Sequence, residues 1–318
     1  VIAALADRAG HEVSVTARGE QLDAIVARGL HLTGHWGEHT AHVQATRVLV
    51  EPPDLALLTV KAQDAPAAVR ANASALAGVP LVVVQNGLGG AEAVAELLPK
   101  TPVIGGLALF AASFLAPGEA AITTPATTYL GGLPATPQEV FDGVVAVLGG
   151  VMPVETIGNF TGAQWTKLIV NQVNALPAIT GLSVQETVAD DRLRRVLTDS
   201  MREAVRIARA GGVHFETLLG LSDPLLRVFV AAPYALAAVL PRLIARRMGA
   251  TPNPGSTLQS IRRGQLTEID HLNGAVVTAA GAAGMTAPIN ARLVELVHRV
   301  EREHAFIAPD EVFRAVFA

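Results

Sequence analysis

The chain has 318 residues, half of them hydrophobic, and carries 24 basic against 28 acidic side chains for a formal charge of −4. At about 150 residues per domain it can bury two cores, and without a basic run or a stripe of aromatics it offers nucleic acid no electrostatic footing. The absence of cysteine excludes disulfides, thiolate metal sites and a cysteine nucleophile, which fits a reducing compartment such as the cytoplasm.

Residues 1–9 have the composition of a helix body that stops at Gly10, a residue suited to a helix C-terminus. Residues 12–17 alternate as a strand, Arg18-Gly19 turn the chain, and residues 20–28 are helical in pattern. This order is that of a dinucleotide-binding βαβ unit whose first strand and glycine turn are not among these residues. His31, His35, His39 and His42 follow in a hairpin or loop. With only Glu38 as a neighbouring carboxylate, they are read as hairpin residues rather than a metal site. Residues 54–61 and 80–87 are apolar runs suited to strands buried on both faces, the first ending in Lys61 and the second in Asn86-Gly87. Helices are expected between them, over 62–76, and after Gly89-Gly90, over 91–98. In one open parallel sheet the strand ends converge, so Arg18, Lys61 and Asn86 are expected at one ligand-binding crevice. Residues 105–132, with turns at Pro117-Gly118 and Pro125, read as an antiparallel extension of that sheet, and 137–148 as a helix.

Beyond Met152-Pro153-Val154 the pattern turns helical, with helices expected over 158–176, 188–210, 224–248, 256–263, 267–284 and 288–303. The fold class is therefore α/β: a Rossmann-type dinucleotide-binding domain over residues 1–157, followed by an all-helical domain over 158–318. The most apolar stretch, 228–240, is shorter than the about 20 residues of a membrane span and reads as a buried helix. Asp190-Asp191 suits a helix start and Trp165 suits packing. In a helix over 158–176, Lys167, Asn171 and Asn174 share one face. One ammonium and two amides can hydrogen-bond a carbonyl oxygen and hold a small oxo acid without adding negative charge.

Four groups of residues carry a resemblance: Gly10-His11-Glu12-Val13 leading to Arg18-Gly19; Lys61-Ala62 with Asn86-Gly87-Leu88-Gly89; Lys167 and Asn171 one turn apart; and Ser256-Thr257-Leu258-Gln259 with Thr267-Glu268-Ile269-Asp270, Leu272-Asn273-Gly274. The chain resembles the ketopantoate reductase (2-dehydropantoate 2-reductase) family over nearly its whole length, and the last group is the most specific. The resemblance implies NADPH/NADP as cofactor and reduction of the 2-oxo group of ketopantoate to pantoate, or of a closely related 2-oxo acid, in pantothenate and coenzyme A biosynthesis. It implies that Lys167 protonates the new alkoxide and that Glu268 orients the substrate oxygen and the lysine. Asn171 and Asn174 would hold the substrate's hydroxyl end, and Asn253 and Ser256 would form a substrate-contacting loop. Arg18 matches a position that takes the 2'-phosphate, in keeping with the lack of an acidic residue at the end of its strand. Lys61 and Asn86 match positions at the junction of cofactor and substrate. The expected partner is a small 2-oxo acid, with a homodimer left open and neither nucleic acid nor membrane.

Several features depart from the family. The G-x-G-x-x-G that lets backbone approach a pyrophosphate is absent, so the sequence is expected to begin roughly a dozen residues into the unit and, in that form, not to bind NADPH. Ser260 stands where an aspartate commonly follows S-x-L-Q, the helical stretch 222–250 is longer than usual, and Asn174 lies one residue earlier than the customary spacing. Two alternatives stay open. A β-hydroxyacid or glycerol-phosphate type dehydrogenase shares the lysine and asparagine one turn apart but not the Ser256-to-Glu268 segment. A catalytically silent nucleotide-binding or regulatory homologue would account for the absent glycine loop.

Overall fold

The structure, a computed structural model, describes residues 1–249 and 251–317; Ala250, the last residue of the helical stretch expected over 222–250, and Ala318 lie outside the described residues. The chain folds as two compact units, one of Val1–Gln85 and Gly89–Phe160, the other of Asn86–Leu88 and Thr161–Ala318.

In the first unit the strands are β1 (Ser14–Thr16), β2 (Leu30–Gly34), β3 (His39–Ala41), β4 (Gln44–Thr46), β5 (Ala56–Leu58), β6 (Leu81–Val84), β7 (Val103–Ala108), β8 (Ala111–Ala116), β9 (Glu119–Thr124), β10 (Thr128–Gly132) and β11 (Val154–Thr156). Its helices are α1 (Ile2–Arg8), α2 (Gly19–Arg28), α3 (Ala65–Ala71), α4 (Ala73–Leu76), α5 (Gly90–Leu97) and α6 (Gln138–Gly149). Five strands form a sheet ordered β11-β10-β7-β6-β5, parallel from β5 to β7, with β10 antiparallel to β7 and parallel to β11. Successive residues of β6 serve opposite faces. Leu81 and Val83 pack with Val69, Leu76 and Val94 on one side, while Val82 packs with Ile104, Leu130 and the α6 residues Val144 and Leu148 on the other. A continuous apolar run is what a strand covered by helices on both faces requires. Gly105 of β7 and Gly131 of β10 are cross-strand neighbours, and a Cβ on either would collide with Phe160, the last residue of this unit.

Two expectations change here. β1 is not part of this sheet but pairs in parallel with β4 in a separate two-stranded sheet, so Arg18 and Lys61 follow strands of different sheets. Three residues long, with Ser14 and Thr16 exposed and Val15 half-buried, β1 has little apolar surface to dock against other strands. Of residues 105–132, only β7 and β10 extend the large sheet. β8 and β9 form a hairpin that joins β2 and β3 as a four-stranded sheet, β3-β2-β9-β8, with register irregularities along β8. Ala4 and Leu5 of α1 bury against Leu32, Ala41 and Ile122 of this sheet. His31 Nδ1 bonds with Thr40 Oγ1 (3.0 Å) between β2 and β3, and His39 Nε2 bonds with Asp7 Oδ2 of α1 (2.7 Å).

The second unit is built on α7 (Phe160–Asn171), α8 (Ala175–Thr180), α9 (Val184–Ala189), α10 (Asp191–Ala210), α11 (Asp223–Ala231), α12 (Tyr234–Ala237), α13 (Val239–Arg247), α14 (Gly255–Arg262), α15 (Asn273–Ala282), α16 (Pro288–Glu303) and α17 (Pro309–Phe317). Leu193, Val196, Leu197, Met201, Ala204 and Ala208, at helical spacing along α10, are buried in its core. Asp190 caps α10 by accepting from the N–H groups of Arg192 and Leu193. Three helices expected to be continuous are broken. Residues 158–176 become α7, a 3-10 turn (Gln172–Asn174) and α8, because Pro177 cannot donate to the Val173 carbonyl and its ring crowds that group. Residues 224–248 become α11 to α13, with Pro233 at the first break. The helix expected from 267 starts only at Asn273, after a 3-10 turn (Ile269–His271) and Leu272 at φ −105, ψ −92, outside the helical region. Among the described residues no helix is long and apolar enough to cross a membrane.

Candidate active site

Lys167 lies half-buried on α7, one turn before Asn171. Burial pushes its ammonium down from the ordinary 10.5 to about 8, and the Glu268 carboxylate pulls in the opposite direction by favouring the charged form. A lysine with that value is largely protonated at neutral pH yet close to giving up its proton, as a general acid requires. Glu268 precedes the 3-10 turn on irregular backbone, and its carbonyl accepts the N–H groups of His271 (2.9 Å) and Leu272 (3.1 Å).

Asn174 falls in the 3-10 turn rather than on the α7 face, which changes its direction relative to Lys167 and Asn171. It borders the start of α14 instead. A Cβ at Gly255 would sit 2.5 Å from Asn174 Oδ1, and Gly255 has φ +69, so glycine is required there on two counts. Ser256, the next residue, is exposed. Asn253 is engaged with its surroundings: its Oδ1 accepts the Gly255 N–H (2.8 Å), its own N–H donates to Gln185 Oε1 (2.9 Å), and its carbonyl accepts the Val184 N–H (2.8 Å). Those bonds build the loop that presents Ser256.

Asn86–Leu88 packs with the helical unit. Gly87 has φ +87, and a Cβ there would collide with the His271 carbonyl, while Leu88 packs against the helical core. The Asn-Gly segment thus approaches the backbone of His271, the residue that follows the Thr-Glu-Ile-Asp segment. Arg18 and Lys61 belong to the first unit. Arg18 is exposed on extended backbone just before α2, and Lys61 is half-buried on extended backbone before a 3-10 turn (Ala62–Asp64). Gln85 ties the ends of β5 and β6 by donating from Nε2 to the Val60 carbonyl (3.0 Å).

Two family profiles match this chain: that of ketopantoate reductase PanE/ApbA over residues 1–135, and that of the ketopantoate reductase PanE/ApbA C terminal over residues 159–301. The chain belongs to the ketopantoate reductase family. It is similar to the 2-dehydropantoate 2-reductase of Pyrococcus horikoshii, with 26% identity over 95% of this chain and 93% of that protein. A crystal structure of a PanE/ApbA family ketopantoate reductase from Ralstonia eutropha JMP134 is 31% identical, with a TM-score of 0.80 over 95% of this chain and 94% of that one. D-Mandelate dehydrogenase, solved with NADH and anilino(oxo)acetate, shares the fold at 19% identity, with a TM-score of 0.81 over 95% of this chain and 94% of that one.

In this ketopantoate reductase family chain, sequence inspection missed a buried polar network behind the site. Gln172, between Asn171 and Asn174, is fully buried, and its Oε1 accepts from Ser200 Oγ (2.7 Å) and Asn273 Nδ2 (2.8 Å). Asn273 Nδ2 also donates to Asn290 Oδ1 (2.9 Å), and Asn290 Nδ2 to Glu203 Oε2 (2.7 Å). The Glu203 carboxylate further accepts the N–H groups of Ile289 (3.2 Å) and Asn290 (2.8 Å) at the start of α16, where a negative charge is favoured. The network joins the 3-10 turn carrying Asn174 to α10, α15 and α16. Little in the local sequence marks it: Gln172 stands among the polar residues Asn171 and Asn174 and only its burial sets it apart.

Proposed function

We propose that the protein reduces the 2-oxo group of ketopantoate to give pantoate, with NADPH as the reductant. The observation that carries this reading is Lys167, brought down to about 8 by burial with the charge of Glu268 acting on it. Of the residues present, those at the 2'-phosphate end fit the cofactor: Arg18 is an exposed cation at the start of α2, and neither Thr16 nor Ala17 places a carboxylate there to repel a 2'-phosphate. When bound, the dinucleotide supplies the hydride. Lys167 donates its proton to the oxygen on which negative charge develops, and Glu268 keeps that ammonium charged and directed. Asn171 donates amide hydrogens to the substrate's hydroxyl end, and Asn174, bordering the start of α14, contacts the substrate from the side of Ser256. Ser256, on the loop built by Asn253, donates its hydroxyl to the carboxylate. Lys61 and Asn86 contribute an ammonium and an amide that place the nicotinamide ribose. In the complete protein, Lys167→Ala lowers kcat on ketopantoate by about 10²-fold or more and leaves NADPH affinity near wild type. Unchanged turnover at saturating ketopantoate would remove the lysine from the mechanism.

A further inference from the structure

Glu268 stands on backbone that no helix or strand holds, yet Lys167 feels its charge. Side chains of α16 hold its segment from both sides. Glu301 Oε1 accepts the N–H of Thr267, the residue before Glu268, at 2.8 Å, and the Thr267 hydroxyl bonds the same carboxylate. The hydroxyl oxygen of Thr267 in turn accepts the Ile269 N–H at 3.3 Å. Close by on α16, His298 joins Glu301 Oε2 through Nδ1 (2.7 Å) and Asp270 Oδ1 through Nε2 (3.0 Å). Thr267 and Asp270 flank Glu268, so its segment is tied to one face of one helix on both sides. Both ring nitrogens meet carboxylate oxygens, which when ionised only accept, so the imidazolium, a donor at each nitrogen, satisfies the set. Burial works against that charge, but the hydrogen bonds with Glu301 and Asp270 outweigh it and raise the pKa of His298. Burial likewise opposes the charge of Glu301, and the bonds from His298 and Thr267 prevail and hold it below the usual carboxylate range.

We infer that His298 and Glu301 are positioning residues that hold the segment from Thr267 to Asp270 so that the Glu268 carboxylate acts on Lys167. The inference rests on the proposed function for its effect on turnover, but not for its effect on the charge of Lys167. An ion pair that merely stabilised the fold would have no reason to change the titration of a lysine on another helix. A displaced Glu268 would, because its charge favours protonated Lys167 and its withdrawal lets the pKa fall below about 8.

The test uses Glu301→Ala, Glu301→Gln and His298→Gln in the full chain. Two readouts need no substrate: NMR titration of Lys167 through its side-chain carbon next to Nζ, and hydrogen exchange at the Thr267 amide. A third is the split between KM and kcat with ketopantoate. Glu301→Ala should lower the Lys167 pKa by about half a decade or more, speed Thr267 exchange about tenfold or more, and reduce kcat/KM by about 10- to 100-fold. Glu301→Gln keeps an oxygen that can accept from Thr267 N–H and should restore most of each effect, and His298→Gln should fall between the two. A folded Glu301→Ala protein in which Lys167 titrates as in wild type would overturn the inference, as would equal damage from alanine and glutamine. If wild type turns over no 2-oxo acid, the proposed function fails, while the titration and exchange measurements still decide the clamp.

Discussion

Replacing Lys167 with methionine separates what the lysine does for catalysis from what it costs the fold. Its pKa falls from 10.5 to about 8, with burial the larger cause and Glu268 acting in opposition. At about 1.4 kcal/mol per decade of proton affinity, that fall is worth about 3 kcal/mol of destabilisation whenever the folded protein must hold the ammonium charged. Methionine has a similar reach and no charge to desolvate, so Lys167→Met should raise the unfolding free energy at pH 7 by up to about 3 kcal/mol while turnover falls by about 10²-fold or more. The pH dependence has a definite sign. The unfolded lysine keeps its proton up to about 10.5, whereas the folded one releases it near 8. Between those values the unfolded state binds more protons, wild-type stability climbs with pH, and the advantage of the variant shrinks towards zero at the upper end. Urea denaturation of both proteins across that range, paired with turnover at neutral pH, measures each part. A difference in stability that does not change with pH, or a variant less stable than wild type at neutral pH, would refute the assignment of a buried ammonium.

Arg18→Ala should raise the Michaelis constant for NADPH by roughly one to two decades and leave that for NADH almost unchanged, since a charge-assisted bond to the 2'-phosphate is worth about 1.5 to 3 kcal/mol; equal losses with both cofactors, measured by initial rates, would reduce Arg18 to a structural residue. Gly255→Ala forces a side chain into φ +69 and against Asn174 Oδ1. It should cost about 1 to 3 kcal/mol in chemical denaturation and raise KM for the 2-oxo acid more than it lowers kcat, whereas unaltered KM would detach Asn174 and Ser256 from the substrate.

The parts of the fold that the sequence revealed are those set by local periodicity. The apolar runs around β5 and β6 announce strands covered on both faces, and the apolar spacing over 188–210 announces the helix α10. Lys167 and Asn171, four residues apart within α7, keep the relation that helical spacing gives them. Asn174 does not, because Pro177 unmakes the helix ahead of itself and the intervening 3-10 turn rotates the residues it carries. The grouping of strands was less legible. Which edge β1 or β8 pairs with depends on partners far along the chain, and nothing within Ser14–Thr16 distinguishes a two-stranded sheet from a five-stranded one. Nor could periodicity expose the network of Gln172, Ser200, Glu203, Asn273 and Asn290, or the bonds of Glu301 and His298 to the segment bearing Glu268. These residues are each unremarkable in their own helices and acquire meaning only when tertiary packing brings them within hydrogen-bond distance.

Reduction of a 2-oxo acid by NADPH is tested most directly by following the loss of NADPH absorbance as ketopantoate is added to the purified complete protein, glycine loop included, with NADH and a panel of other short 2-oxo acids run alongside. Saturable oxidation of NADPH by ketopantoate is predicted, with kcat/KM about 10- to 100-fold higher than with NADH. No turnover of any 2-oxo acid with either cofactor would contradict it.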